Sequence, residues 1–168
     1  MSQGPRYRVK PRRRREGKTD YRMRLALLKS GKPRIVVRRS LNNIRVQVIN
    51  YSEQGDIVVA SAMGSDLVKS YQWKHSMKTT SAAYLTGLLA GKRAKDAGIT
   101  EGVLDIGRQV PTKGAKVFAA LQGVLDAGID VPHSTEKLPS EDRIMGKHLD
   151  KSIEKDISAM KEKIIGGK

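Results

Sequence analysis

The sequence predicts an α/β sandwich, with a three-stranded antiparallel meander followed by a helix, a fourth strand and a second helix, in the order βββαβα. Three short β-type runs with turn-rich connections come first, two apolar helical segments follow, and both segments end in the same Ala-Gly-Ile motif. A basic arm at residues 1–20 precedes this body at residues 21–132, and an extension with an amphipathic helix occupies residues 133–168. The 168 residues fit one domain with a modest core.

The arm is predicted to be disordered in isolation, because it contains prolines, glycines and basic residues but almost no apolar side chains to bury. A short basic helix is predicted from Tyr21 to Lys29, with Asp20 as its N-cap and Gly31 as its stop. This helix connects the arm to the body.

Three β-type runs follow Pro33, at residues 34–39, 44–49 and 57–63. The connections SLNN and SEQGD are short and rich in turn formers, which predicts an antiparallel meander. Alternation in the first two strands places Ile35, Val37, Ile44, Val46 and Val48 on one face and Arg34, Val36, Arg38, Arg45, Gln47 and Ile49 on the other. One face of the sheet is therefore predicted to carry arginines.

Two helices and a fourth strand complete the body. Helices are predicted at residues 81–97 and 113–127, each stopped by a glycine, with a strand at residues 102–107 between them. Residues 150–165 carry Ile153, Ile157, Met160 and Ile164 at helical spacing. This stripe predicts a C-terminal amphipathic helix that docks either on the body or on a partner.

The positive charge is concentrated at one end of the chain. The first 45 residues contain 16 Lys and Arg against two acidic residues, so they carry +14 of the net charge of +16, while the remainder holds 17 basic and 15 acidic residues. A folded body with a basic arm is typical of a protein that binds a polyanion, because Lys and Arg on phosphates release condensed counterions.

The sequence contains no credible catalytic site and indicates no cofactor. Absence of cysteine excludes disulfides and thiolate zinc sites, and the GLLAGKR segment departs from a phosphate-binding loop in its spacing and in lacking Ser or Thr after the lysine. The carboxylates of a two-metal nuclease are missing from the first strand and the first helix. An enzyme acting on nucleic acid is therefore disfavoured. Neither a bilayer-spanning segment nor a secretory signal is visible, so we expect no membrane partner and an intracellular, cytoplasmic location.

For several residues the sequence allows two interpretations of their role. The segment PTKGAK, with Thr112, Lys113 and Lys116, precedes a helix and either clamps a phosphate at the helix N-terminus or simply caps the helix. Tyr7 and Tyr21 lie among arginines, where each ring either stacks on an unpaired base or packs on the body. Trp73, in a predicted loop from Tyr71 to His75, either contacts RNA or anchors the loop on the core.

Five segments carry a family resemblance: KSGKPRIVVRRS (29–40), AAYLTGLLAGKRA (82–94), LDIG (104–107), PTKGAKVFAALQGVLDAG (111–128) and VPHS (131–134). In this order they resemble the large-subunit ribosomal protein L-eighteen family, in its archaeal and eukaryotic branch, with an archaeal member the closer match. The resemblance covers nearly the whole chain.

The resemblance implies a structural protein that binds 5S rRNA and anchors it, with large-subunit rRNA and neighbouring ribosomal proteins, in the central protuberance. It implies no small-molecule substrate. The arm corresponds to an RNA-penetrating segment, and Arg34, Arg38, Arg39 and Arg45 are expected at or near the 5S-facing surface. With the basic helix and the PTKGAK segment, the predicted RNA-binding residues are Arg6, Arg8, Lys10, Arg12, Arg13, Arg14, Arg15, Lys18, Arg22, Arg24, Arg34, Arg38, Arg39, Arg45, Thr112, Lys113 and Lys116. The alternative function is that of a nonspecific nucleic-acid-binding or RNA chaperone protein.

Overall fold

The computed structural model describes residues 4–149 and 151–166. Residues 1–3 of the predicted arm, the first residue of the predicted 150–165 helix, and residues 167–168 of the extension lie outside these ranges. The elements are α1 (Arg12–Arg15), α2 (Tyr21–Leu28), β1 (Arg34–Arg39), β2 (Ile44–Asn50), β3 (Ile57–Met63), α3 (Gly64–Tyr71), α4 (Thr80–Asp96), β4 (Val103–Asp105), α5 (Lys116–Asp126), a 3-10 turn (Thr135–Lys137), α6 (Glu141–Ile144) and α7 (Lys151–Gly166).

The sheet has four strands in the order β3-β2-β1-β4. β1 pairs antiparallel with β2 and β2 with β3, which confirms the predicted meander, and β4 lies parallel to β1. The β1–β2 turn is fixed by a 2.8 Å hydrogen bond from the Ser40 N–H to the Asn43 carbonyl, and the β2–β3 turn by one of 3.1 Å from Gly55 to Ser52. The predicted α/β class is confirmed.

Helices α4 and α5 cover one face of the sheet and form the core with it. Ile35, Val37, Val46 and Val48 are fully buried beneath these helices, as the alternation predicts. α4 is buried along most of its length, and its small residues allow a close approach to α5.

Two glycines set the distance between α4 and α5. A Cβ atom added at Gly87 would lie 2.0 Å from the carbonyl oxygen of Ala120, and one added at Gly123 would lie 2.1 Å from that of Tyr84. Real Cβ atoms do not approach backbone oxygens so closely. The two helices therefore touch through backbone at this crossing.

The two Ala-Gly-Ile motifs form the same turn. Gly98 and Gly128 have positive φ values of 81° and 95°, and the N–H groups of Ile99 and Ile129 donate to carbonyl oxygens five residues earlier at 3.0 and 3.4 Å. The segments that follow are joined by a parallel bridge between Glu101 and Asp130. The predicted equivalence of the two helix ends is confirmed, although α5 begins at Lys116, three residues later than predicted.

The C-terminal helix α7 docks on the body, which resolves the two readings of its apolar stripe. Ile153, Ile157, Met160 and Ile164 are all buried in the common core, and α7 packs on α4. A 2.7 Å contact between His75 Nε2 and Asp156 Oδ2 connects the helix to the loop after α3.

Three short helices, α1, α3 and α6, were not predicted. α1 is a four-residue turn in the arm, so the arm has some local order on the body even though its composition disfavours structure in isolation. α3 follows β3 directly, where the Asp66 carboxylate accepts the N–H of Met63 at 3.2 Å. Conversely, β4 is three residues long and shorter than the predicted strand. None of the described helices has the length and apolar composition needed to cross a lipid bilayer.

We predict that Gly87→Ala lowers the free energy of unfolding by about 1 to 3 kcal/mol, because the added methyl group forces α4 and α5 apart. The loss should appear although alanine favours a helix by about 1 kcal/mol relative to glycine. Urea denaturation measures it. Gly166→Ala is the control, since a Cβ there meets no atom within 4 Å; equal stability of both variants would contradict the close crossing.

Candidate nucleic-acid interface

The face of the sheet opposite α4 and α5 carries positive charge. Arg38 of β1 and Arg45 of β2 are directly opposite each other in the register, and both are exposed. The arm and α2 lie beside this face, and together they enclose a cleft of about 780 Å³. Its basic lining residues are Arg13, Lys18, Arg24, Arg38 and Arg108. We call the arm, α2 and the arginines of this face the cationic surface.

The arm presents its basic side chains to solvent. All eight predicted basic residues of the arm are exposed: Arg6, Arg8, Lys10, Arg12, Arg13, Arg14, Arg15 and Lys18. A hydrogen bond from Arg108 to the Gly17 carbonyl joins the arm to the body, and one of 2.7 Å from Arg13 Nε to Thr19 Oγ1 lies within the arm. Tyr7 and Tyr21 are 48% and 38% exposed, so both rings remain accessible for stacking.

Arg34 lies beneath the cationic surface and not on it. The resemblance assigned this residue to the RNA-facing side, but its side chain is only 3% exposed. Its Nη2 lies 2.7 Å from Asp56 Oδ2 and its Nη1 lies 3.3 Å from Asp105 Oδ2. A guanidinium buried between two carboxylates is held inside the protein, so Arg34 supports the surface from below.

Asp56 links this buried arginine to α2. Its Oδ2 also lies 2.8 Å from Arg24 Nη2, so one carboxylate joins the helix to the sheet. Burial alone would raise the pKa of Asp56, but hydrogen bonds from Arg24 and Arg34 outweigh it and hold that pKa below the ordinary value. The half-buried Arg24, also predicted to bind RNA, is occupied by this bridge.

α2 begins where the sequence predicts. The Asp20 side chain accepts hydrogen bonds from the N–H groups of Arg22 and Met23 at 2.9 and 3.2 Å, which is N-cap geometry. No residue of α2 is buried, so the helix is held mainly at its Arg24 bridge. Arg22 is exposed beside the cleft.

Asp105 connects Arg34 to Arg38. Its Oδ1 accepts from Arg38 Nη2 at 2.9 Å and from the Gly107 N–H at 2.8 Å, while its Oδ2 faces Arg34. Arg24, Asp56, Arg34, Asp105 and Arg38 thus form one chain of alternating charges, which we call the buried ion chain. Within the residues that the structure covers, the exposed Arg39 and Arg45 have no acidic partner.

Trp73 is part of the core. Its side chain is 4% exposed and meets His75 edge-to-face, with ring centroids 5.0 Å apart. A buried indole cannot stack on a base, so the structure favours the reading in which Trp73 anchors its loop. Gln72, next to it, takes a left-handed conformation that ends α3.

The PTKGAK segment lies at the start of α5. Thr112 and Lys113 are exposed and Lys116, the first residue of the helix, is half-buried. The N-cap Ala115 provides no side-chain acceptor for the first N–H groups. The phosphate-binding reading of Thr112, Lys113 and Lys116 stays a prediction.

Arg108 was missed by sequence reasoning. It is exposed, lines the cleft, and donates to the backbone of the arm. A single arginine after a short strand has no local signal that distinguishes it from an ordinary surface cation. In the parts of the chain with described coordinates, no group of three His, Cys, Asp or Glu side chains is arranged to hold a metal ion.

Comparison with known proteins identifies the family. The model of the family described as "Ribosomal large subunit proteins 60S L5, and 50S L18" matches residues 5–100 and 94–134. The chain belongs to this family. The predicted L-eighteen resemblance is confirmed, and the protein is a structural constituent of the large ribosomal subunit and not an enzyme.

Archaeal relatives of the L-eighteen family match most of the chain. The large ribosomal subunit protein uL18 of Korarchaeum cryptofilum is 59% identical over 155 residues, covering 92% of this chain and 79% of the relative. The uL18 proteins of Staphylothermus marinus and Aeropyrum pernix are 51% and 50% identical over 149 residues, covering 89% of this chain and 74% and 70% of theirs. These matches support the archaeal branch and a location in the cytoplasmic ribosome.

We predict that Arg34→Met lowers the free energy of unfolding by about 1 to 3 kcal/mol, because Asp105 and Asp56 lose their shared cation and keep only Arg38 and Arg24 as partners. Arg39→Met, on the same strand but exposed, is the matched control and should change the stability by less than about 0.5 kcal/mol. Urea denaturation at neutral pH compares the two. Equal effects would show that the buried ion chain contributes little.

We predict that Asp56→Asn flattens the acid dependence of stability. Since the pKa of Asp56 is lower in the folded state than its ordinary value of 3.8, its stabilisation is complete above that value. It is lost as the pH falls below 3.8 and through the folded pKa. Unfolding free energies measured from pH 6 to pH 2 should fall less steeply for the variant. Asp96→Asn, an exposed carboxylate, should keep the wild-type steepness; an unchanged Asp56→Asn curve would contradict the assignment.

Proposed function

We propose that this chain binds 5S rRNA through the cationic surface and anchors it, with large-subunit rRNA and neighbouring ribosomal proteins, in the central protuberance. The observation that carries the proposal is the continuous surface made by the exposed arm and the exposed arginines beside the cleft. Because the chain belongs to a ribosomal family, RNA is the polyanion that we expect it to bind.

The arm acts in this proposal as an electrostatic anchor. Its eight exposed cations have two acidic neighbours, Glu16 and Asp20, and Asp20 is occupied as the cap of α2. Glu16 pairs with Arg12 and Lys18 at 3.6 and 2.9 Å, at the surface, where such pairs are weak and easily exchanged for phosphates. Most of the charge of the arm therefore remains available to RNA.

Folded RNA favours the residue types found here. Its deep and narrow major groove hides the base edges, so proteins recognise phosphates, overall shape and unpaired bases. An arginine guanidinium can hold a phosphate with two parallel hydrogen bonds or stack on a base, whereas a lysine acts as a point charge. The arm contains six arginines and two lysines, and the exposed sheet positions Arg38, Arg39 and Arg45 are all arginines.

The side of the protein that faces away from the arginines has a different role from the cationic surface. α7 closes the core through α4, and α4 covers the sheet face opposite the arginines. The extension is therefore assigned to the stability of the body and to contacts with other ribosomal components. The arm and the arginines of the sheet are assigned to 5S rRNA and large-subunit rRNA.

A competition titration tests the proposal. Labelled 5S RNA is bound near 0.15 M ionic strength, about that of the cell, and challenged with excess transfer RNA and duplex DNA. Retention of the 5S complex is the expected result. Displacement of the labelled 5S RNA by both transfer RNA and duplex DNA would support the nonspecific nucleic-acid-binding alternative and overturn the proposal.

The same titration across salt concentrations measures the contribution of the arm. Arg14→Gln with Arg15→Gln should reduce the double-logarithmic salt slope by roughly 1.4 to 1.8, since each lost phosphate contact removes about 0.7 to 0.9. The matched control is Lys155→Gln with Lys163→Gln, which removes the same charge from exposed positions of α7. Equal slopes for the two double variants would show that the arm does not touch phosphates in this complex.

A further inference from the structure

We propose that Arg38 is a preset clamp for the edge of a guanine base in the bound RNA, positioned by Asp105 and Gly107. The inference rests on the proposed function, and it assigns to one residue a specific recognition role beyond general attraction. Three features of the Arg38 guanidinium support the proposal. Some of its N–H donors are already hydrogen-bonded within the protein, the donors along one edge are not, and one face of its plane is covered by Gly107.

Three of the five N–H donors of the Arg38 guanidinium are already occupied. Nη1 donates to the carbonyl oxygens of Val37 and Asp105 at 3.0 and 2.7 Å, and Nη2 donates to Asp105 Oδ1 at 2.9 Å. Asp105 therefore binds the Nη1 and Nη2 end of the guanidinium with both its backbone carbonyl and its carboxylate. Since the side chain is nonetheless 45% exposed, an accessible group is fixed in one orientation.

The remaining two donors form a pair. Nε–H and the second hydrogen of Nη2 lie side by side on one edge of the guanidinium, and neither donates to any residue within the described ranges. Such an edge fits two adjacent acceptors. An unpaired guanine, whose O6 and N7 are not hidden in the narrow major groove of an RNA helix, presents this arrangement. In protein–DNA complexes, arginine to O6 and N7 of guanine is the commonest specific contact with a base.

Gly107 covers one face of the guanidinium. A Cβ atom there would lie 3.0 Å from Arg38 Cζ, 3.2 Å from Nη2 and 3.3 Å from Nε. The shortest of these distances is to the central carbon, so the glycine sits over the plane of the group and not at its edge. Any side chain at this position would push the guanidinium out of place.

The pairing with Asp105 makes Arg38 a weaker phosphate site than the arginines that have no acidic partner among the described residues. The charge of Arg38 is partly balanced by Asp105, whose carboxylate lies 2.9 Å away and is itself 9% exposed. Asp105 weakens the attraction of Arg38 for a phosphate, whereas the O6 and N7 atoms of guanine carry no net charge and are not affected in this way. The exposed Arg39 and Arg45, without acidic partners among described residues, are better suited to phosphates.

The first test distinguishes recognition through the two paired donors of Arg38 from attraction by its positive charge alone. Arg38→Lys keeps the charge but loses the paired donors, so the affinity for 5S RNA should fall about ten- to a hundredfold with an unchanged salt slope. Arg39→Lys is the matched control and should change the affinity less than about threefold. Thermal melts of both variants check that the protein is folded.

A second pair of variants tests the positioning. Gly107→Ala should weaken binding about as much as Arg38→Lys, because the methyl group displaces the guanidinium. Gly31→Ala is its control: both glycines have positive φ, at 66° and 68°, but a Cβ at Gly31 meets nothing within 4 Å. Equal affinities for these two alanine variants would overturn the role of Gly107.

The base is identified by replacing guanines in 5S RNA one at a time with 7-deazaguanine, which lacks the N7 acceptor. At one position the wild-type chain should lose affinity while Arg38→Lys shows no further loss. The clamp alone is overturned if the wild-type complex is specific but no position behaves in this way, or if Arg38→Lys binds normally. A wild-type chain that binds 5S RNA no better than transfer RNA would overturn both the proposed function and the clamp.

Discussion

The burial of Arg34 between Asp56 and Asp105 is the constraint on which the cationic side of this protein depends. Removing a guanidinium from water is costly unless carboxylates compensate it, so this arginine can be inside only because both acids are present. The two acids then reach outward, Asp56 to α2 and Asp105 to Arg38. One buried cation therefore determines where the helix carrying the arm lies and how an exposed arginine is oriented.

The two faces of the sheet are stabilised in different ways. On one face, apolar side chains and the glycine contact between α4 and α5 exclude water and give a dense core. On the other face, like charges would repel one another, and a few well-placed carboxylates neutralise those nearest the sheet. The cations left without acidic partners in the described structure, Arg45 on this face and Arg39 at the end of β1, are exposed. Acidic residues in a basic protein thus select which arginines remain available to a ligand.

Local patterns predicted the fold well where periodicity decides it. Alternation located β1 and β2, the β-type run at residues 57–63 located β3, and the four-residue stripe of α7 predicted its buried side. Alternation also placed Arg34 correctly on the arginine face, but no local signal could show that Asp56 and Asp105, 22 and 71 residues away, bury it there. α3 was missed because its start depends on one carboxylate contact, from Asp66 to Met63. Burial of Trp73 likewise follows from tertiary packing.

The strand order has a consequence for how the chain is made. β1 lies between β2 and β4, and its parallel partner β4 is separated from it by more than sixty residues that include α3 and α4. During synthesis from the N-terminus the arm emerges long before Asp105, which completes the sheet. The cations of the arm are therefore exposed in the growing chain before β4 has been made and has paired with β1. Pairing between strands that are far apart in sequence is slow, which lengthens this period. The arm is therefore available to a polyanion before Asp105 can pair with Arg34 and Arg38.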